Sequence, residues 1–161
     1  GDVYKRQVQY HLEKIKKYVF QDGVELLAVG GVRFKNFISL AAILGKKVAI
    51  ITDNDGRTKE DIKNLYLDEE LKTSHETISV FTCEDTANST LEIAFINKNK
   101  EKLADLAKII RKKKEKDDSS DKLQDFMLKN KTTWAYRLLE SKDRSFETPD
   151  YIEEAIRWIY E

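Results

Sequence analysis

Residues 46–57 read KKVAIITDNDGR. An apolar, strand-like run ends in Asp53 and Asp55, one residue apart, with Gly56 behind them. Two carboxylates at the tip of a buried strand can serve three ends. They can ligate a hard divalent cation, whose charge relieves their mutual repulsion. They can act as a nucleophile paired with an acid. Or they can shape an Asx turn, which Asn54, Asp55 and Gly56 all suit. A calcium loop of the EF-hand kind is excluded. With Gly56 at its sixth position, the first and twelfth are Ile51 and Ile62, neither of them a ligand.

The surrounding periodicity predicts an α/β scaffold. VQYHLEKIKKYVF (8–20) sets Val8, Leu12, Ile15 and Val19 at helical spacing, and Asp22-Gly23 closes it. VELLAVGG (24–31) is predicted as a buried strand feeding a tight turn. A helix over 34–45 stops at Gly45, and a second strand spans 46–53. A polar helix over 58–71 opens at Thr58, and a third strand spans 77–84. Alternating strands and helices predict a parallel sheet with right-handed crossovers and a site at the strands' carboxyl ends. Gly30-Gly31, Asp53, Asp55 and Glu84 fall at that edge, so three loops are expected to converge there. From STLE (89–92) onward the chain reads as helical, with short helices over 122–130, 131–141 and 149–161. Pro149 suits the first turn of the last of these. Trp134, Tyr136, Tyr151 and Trp158 stand at helical spacing and read as packing residues. Arg111–Lys116 is the one dense basic stretch, either a solvated helix end or a nucleic-acid contact.

Composition narrows the class. The 161 residues suit one compact domain with a small appendage. Lys+Arg and Asp+Glu both number 29, so no global field steers the chain to nucleic acid and such contacts need a local patch. Cys83 is the single cysteine, in a strand-like segment, and reads as a small core residue in a reducing cytoplasmic setting. No apolar run approaches the roughly 18 residues of a membrane span. GDVYKRQ (1–7) matches the translation of a sequencing-library adaptor and is expected to be an artefact, although its composition also permits the start of the first helix.

Two families bear on the aspartates. An apolar strand followed by Asp-x-Asp-Gly is similar to the first motif of haloacid-dehalogenase-type phosphatases, which would make Asp53 the nucleophile and Asp55 the acid. Arg57 stands where that family carries Thr or Val, and Asp117-Asp118 follow lysines instead of an apolar strand. More of the chain resembles the Toprim region of OLD-family ATP-dependent endonucleases. VGGVRFKNFISLAAILGKKVAIITDNDG, a strand, STLE, NKTTWAYRLLES and TPDYIEEAIRWI follow that family's order and spacing from about Val8 to the C-terminus.

The resemblance implies a Toprim, Rossmann-like parallel sheet flanked by helices over 8–112, and a helical C-terminal extension over 113–161. It implies that Asp53 and Asp55 bind catalytic metal, that Glu92 of STLE is a further ligand, and that Lys131 stabilises charge on the phosphate. The cofactor would be Mg2+ or Mn2+ in a two-metal site, which clamps the attacking and leaving oxygens of a phosphodiester. Partners implied are DNA, an N-terminal ATPase domain and a second copy of the chain, in phage defence. Glu84 and Asp85 remain alternative ligands. Toprim domains begin with a strand ending in Val-Glu-Gly, for which nothing before residue 24 stands, and no GxxxxGK[ST] loop occurs. This chain is therefore expected to be a C-terminal fragment, inactive alone, with ATP acting only through the ATPase domain. The alternatives are the phosphatase and a non-catalytic metal-binding module.

Overall fold

The computed structural model describes residues 2–29, 33–68, 77–112 and 120–161. In chain order the elements are α1 (Asp2–Lys14), α2 (Arg33–Ile43), β1 (Val48–Ile51), α3 (Lys59–Tyr66), β2 (Ile78–Phe81), α4 (Leu91–Lys98), α5 (Leu103–Arg111), α6 (Ser120–Lys129), α7 (Lys131–Glu140) and α8 (Asp150–Tyr160). A short 3-10 turn, Lys100–Lys102, leads into α5. The chain packs as two compact units, Gly1–Ala28 with Leu91–Thr148, and Val29–Thr90 with Pro149–Glu161.

The second unit holds the sheet. β1 and β2 pair in parallel, in register from Val48 opposite Ile78 to Ile51 opposite Phe81. Thr52 N–H extends the ladder to Phe81 O at 3.1 Å. Ile50, Ile78 and Val80 pack with Ile38 of α2, Ile62 of α3 and Leu67 in one apolar cluster. Side chains alternate faces along a strand, so Phe81 points away from Val80; its ring lies 5.7 Å from that of Trp158 on α8. Helices thus cover both faces, as parallel strands require. α2 ends in a Schellman pair: Lys46 N–H reaches Ala41 O at 2.9 Å and Gly45 N–H reaches Ala42 O at 3.1 Å. Gly45 supplies the positive φ of 65°. Thr58 Oγ1 accepts from Asp61 N–H at 3.2 Å and caps α3, whose first turn carries Glu60 and Asp61 where the helix dipole favours them. α8, expected with the helical extension, packs on this sheet, with Pro149 at its N-cap.

Two expectations need correction. The strand predicted over 24–31 is not formed over 24–29, which are irregular; Gly30 and Gly31 lie outside the described residues. An apolar run becomes a strand only with a ladder partner. Here Val24 N–H bonds Val19 O at 2.9 Å and closes a turn, and Leu27 is half-exposed. The first helix ends at Lys14, not near residue 20, and Lys16 takes a left-handed φ of 58°. Its opposite end begins at Asp2, so residues 2–7 form its first turns. Most of the basic stretch Arg111–Lys116 lies outside the described residues.

The first unit is helical. Trp134, Phe95, Phe146, Leu106, Ile110 and Tyr10 are among its fully buried side chains. Tyr136, expected in the core, is 51% exposed, with the Arg6 guanidinium 5.6 Å from its ring centre. The buried Tyr10 hydroxyl donates to Asp143 O at 2.9 Å and accepts from Phe146 N–H at 3.2 Å. Arg144 lies 4.7 Å over the ring. These bonds fasten α1 to the 143–148 segment, and Lys14 Nζ adds a bond to Phe146 O at 2.8 Å.

Burial pushes the Tyr10 phenol up to about 12, against the opposing pull of Phe146 N–H and Arg144. A folded-state pKa above the unfolded value means that the neutral phenol's contribution is complete below pH about 10 and is lost as pH rises toward 12. Tyr10→Phe should lower unfolding free energy by about 1–3 kcal/mol at neutral pH by orphaning Phe146 N–H. Urea titrations between pH 7 and 11 should show the wild-type stability falling above pH 10 and a flatter profile in the variant.

Candidate metal-binding residues

The loop after β1 is built by Asn54. Its side chain is fully buried. Oδ1 accepts from Gly56 N–H at 2.8 Å, so the Asx turn is formed. Nδ2 donates to Cys83 O at 2.9 Å and Asp85 O at 3.1 Å, with Asn88 O at 3.4 Å. Arg57 N–H returns to Asn54 O at 2.8 Å, closing a four-residue turn. Its two central residues, Asp55 and Gly56, have φ of 51° and 79°. Asp tolerates the left-handed region better than most residues and Gly freely, so this pair suits the turn. Asp55 N–H adds a bond to Ser89 O at 3.1 Å.

The consequence is mechanical. The residue between the two aspartates is an internal strut, and the aspartates on either side are held by backbone that cannot shift without breaking it. Asp53 is half-buried and Asp55 exposed. Thr52, one residue earlier, places its hydroxyl 3.1 Å from that of Tyr66 on α3. Two of the expected loops, after β1 and after β2, therefore meet. Glu84 is exposed and lies 4.0 Å from Lys59, a weak surface pairing. Asp85 Oδ1 caps its own turn through Ala87 N–H at 2.9 Å. Cys83 is free and half-buried, and its carbonyl serves Asn54.

Glu92 belongs to the other unit, in the first turn of α4, with 1% exposure. A helix N-terminus favours an acid there, but a surface acid would not be buried. Oε1 accepts from Trp134 Nε1–H at 3.2 Å, while Oε2 has no partner among the described residues. A hydrogen bond to a carboxylate contributes about 1.5–3 kcal/mol, and an orphaned buried oxygen costs a comparable amount. Trp134 is itself fully buried against Phe95, ring centres 5.5 Å apart. Lys131 is exposed at the first position of α7, the helix that carries Trp134.

Asp53 and Asp55 thus lie in the sheet unit and Glu92 and Lys131 in the helical unit. Among the described residues, no three or more His, Cys, Asp or Glu side chains are grouped to hold a metal ion. The donor types nonetheless suit a hard cation: in the sheet unit two carboxylates on a fixed turn, and in the helical unit a buried carboxylate oxygen without a hydrogen-bond partner among the described residues. Asn54 and Trp134 are the residues that sequence reasoning undervalued. The turn propensity of Asn54 was visible, but its burial was not. A buried indole N–H generally finds an acceptor, and that rule was the available signal for Trp134.

Residues 4–55 match the family model described as Overcoming lysogenization defect protein-like, TOPRIM domain. The match includes Asp53 and Asp55 and ends before Glu92 and Lys131. It begins at Tyr4, inside the first seven residues. No curated protein and no solved structure matches. Among the described residues, no helix is long and apolar enough to cross a membrane.

Asn54→Ala should leave the Cys83 and Asp85 carbonyls without their donor and reduce stability by roughly 2–4 kcal/mol. Asn54→Asp should cost at least as much, because it sets an acceptor against three carbonyl oxygens. Guanidinium denaturation of both variants checks this.

Proposed function

We propose, from the membership of residues 4–55 in the OLD-like Toprim family, that this chain supplies metal-binding and phosphate-binding residues for divalent-metal-dependent hydrolysis of DNA phosphodiesters. A Toprim domain of this family is a nuclease-type metal-binding domain. The observation that carries the reading is Asp53-Asn54-Asp55: the pair lies inside the matched segment, on a turn whose backbone Asn54 ties down.

Asp53 and Asp55 would hold Mg2+ or Mn2+, which bind oxygen donors, and the family resemblance adds Glu92 as a ligand. When bound, the cation supplies Lewis-acid stabilisation of the phosphoryl oxygens and an activated water. The chain's own residues do the rest. Asn54 keeps both aspartates from relaxing apart as their charges repel. Glu92 would contribute Oε2, which has no hydrogen-bond partner among the described residues. Lys131, exposed at the start of α7, places a compact positive charge for a phosphate oxygen. DNA would be held largely through its backbone. The reading extends to an ATPase domain and a second copy of the chain as partners, in a phage-defence setting, with this chain cleaving little DNA alone.

Saturating Mn2+ should raise the melting temperature by about 5 °C or more, as expected for a ligand at a hundredfold its Kd. Asp53→Asn and Asp55→Asn should each abolish most of that rise without lowering the metal-free value. Supercoiled plasmid should be nicked slowly or not at all by the wild-type chain. No metal-induced rise in the wild type would leave a non-catalytic module. Hydrolysis of a simple phosphomonoester, lost in Asp53→Asn, would point to the phosphatase chemistry instead.

A further inference from the structure

We infer that the exposed side of α2 docks a partner protein, through an amphipathic helix whose apolar stripe is edged with Asp and Glu. The inference stands apart from the metal-binding reading and does not depend on it.

α2 carries more apolar surface than its place on the sheet uses. Phe34, Ile38 and Ala42 pack in the apolar cluster over the strands. Phe37, Leu40, Ile43 and Leu44 do not, and are between 40% and 81% exposed. Leu44 lies just past the end of α2, but its N–H still bonds Leu40 O at 3.0 Å. Residues 37, 40 and 44 therefore stand in one row at helical spacing, with Ile43 beside it. The polar remainder among the described side chains of α2 is Lys35, Asn36 and Ser39. A surface helix needs one apolar stripe, and a helix apolar on two sides belongs in an interior. Contiguous exposed apolar residues of this kind mark an interaction surface.

Shape and charge together select the occupant. The backbone groups of a helix are bonded internally, so an added strand would find no ladder to join. A ridge of side chains at this spacing instead fits the groove of another helix. From Leu26 to Thr52 the chain has no Asp or Glu, although it holds 29 in all. Lys35 and Lys46 are exposed, one near each end of α2. Cations at both ends of an apolar ridge favour acids on the rim of the partner. A second copy docked by the same face would set lysine against lysine. An anionic membrane is the poorer fit, because a polybasic lipid-binding surface takes about four to eight Lys or Arg.

Two synthetic helical peptides test this on the full chain. Both carry a leucine stripe at i, i+3, i+4 and i+7; one has glutamate along its edges and its twin has lysine. By fluorescence anisotropy, the glutamate peptide should bind about tenfold tighter than the twin or better. Leu40→Ser with Ile43→Ser should weaken that binding about tenfold or more. Lys35→Glu with Lys46→Glu should reverse the preference between the two peptides. Ile43 is 81% exposed, so Ile43→Ser alone carries the test if the paired variant does not fold. Unchanged affinity in the serine variants, equal affinity for the two peptides, or binding of neither overturns the inference. A wild-type dimer in sedimentation that Ile43→Ser dissociates gives the face to a second copy and overturns it too. So does binding to phosphatidylglycerol vesicles but to neither peptide, which gives the face to a membrane surface.

Discussion

The candidate site depends on one buried carboxamide. Asn54 satisfies Gly56 N–H with its oxygen and the Cys83 and Asp85 carbonyls with its nitrogen. Those contacts join the loop after β1 to the loop after β2. Two carboxylates one residue apart push against each other, and a loose loop would let them separate. A turn with two successive positive φ values, closed from inside by a side chain with no exposure, does not relax in that way. The sheet beneath is short, four paired residues on each strand, so cross-loop hydrogen bonds carry much of the order that a longer ladder would otherwise supply.

Glu92 follows the same logic with different chemistry. Its carboxylate is buried with one oxygen engaged and the other without a partner among the described residues, an arrangement that a protein core tolerates poorly unless something else satisfies it. Trp134 and the aromatic residues behind it hold that imbalance in place. In both units, then, an acidic residue named for its chemistry is governed by a neighbour that does no chemistry.

Much of this was legible in the sequence and some was not, for physical reasons. β1 and β2 were readable because β-branched apolar runs between turn formers have few alternatives, and Gly45 marked the end of α2 because glycine takes a positive φ there at no steric cost. The run VELLAVGG misled because hydrophobicity reports a wish to be buried, while a strand also needs a backbone partner. Tyr136 misled for a geometric reason: two residues after Trp134 on one helix it stands about 200° around the axis, so with Trp134 in the core it faces Arg6 at the surface. Asp53 and Asp55 stood out by spacing alone. The carboxamide and indole that hold the acids did not, since their partners lie 29 to 42 residues away in the chain.

The most direct test of the central claim is anomalous scattering from crystals soaked in Mn2+. The account predicts a difference peak bonded to carboxylate oxygens of Asp53 and Asp55, over a turn in which Asn54 still reaches Cys83 O and Asp85 O. A well-ordered Asp53-Asn54-Asp55 turn without a peak at millimolar Mn2+, or with the ion seated only elsewhere on the chain, would contradict it.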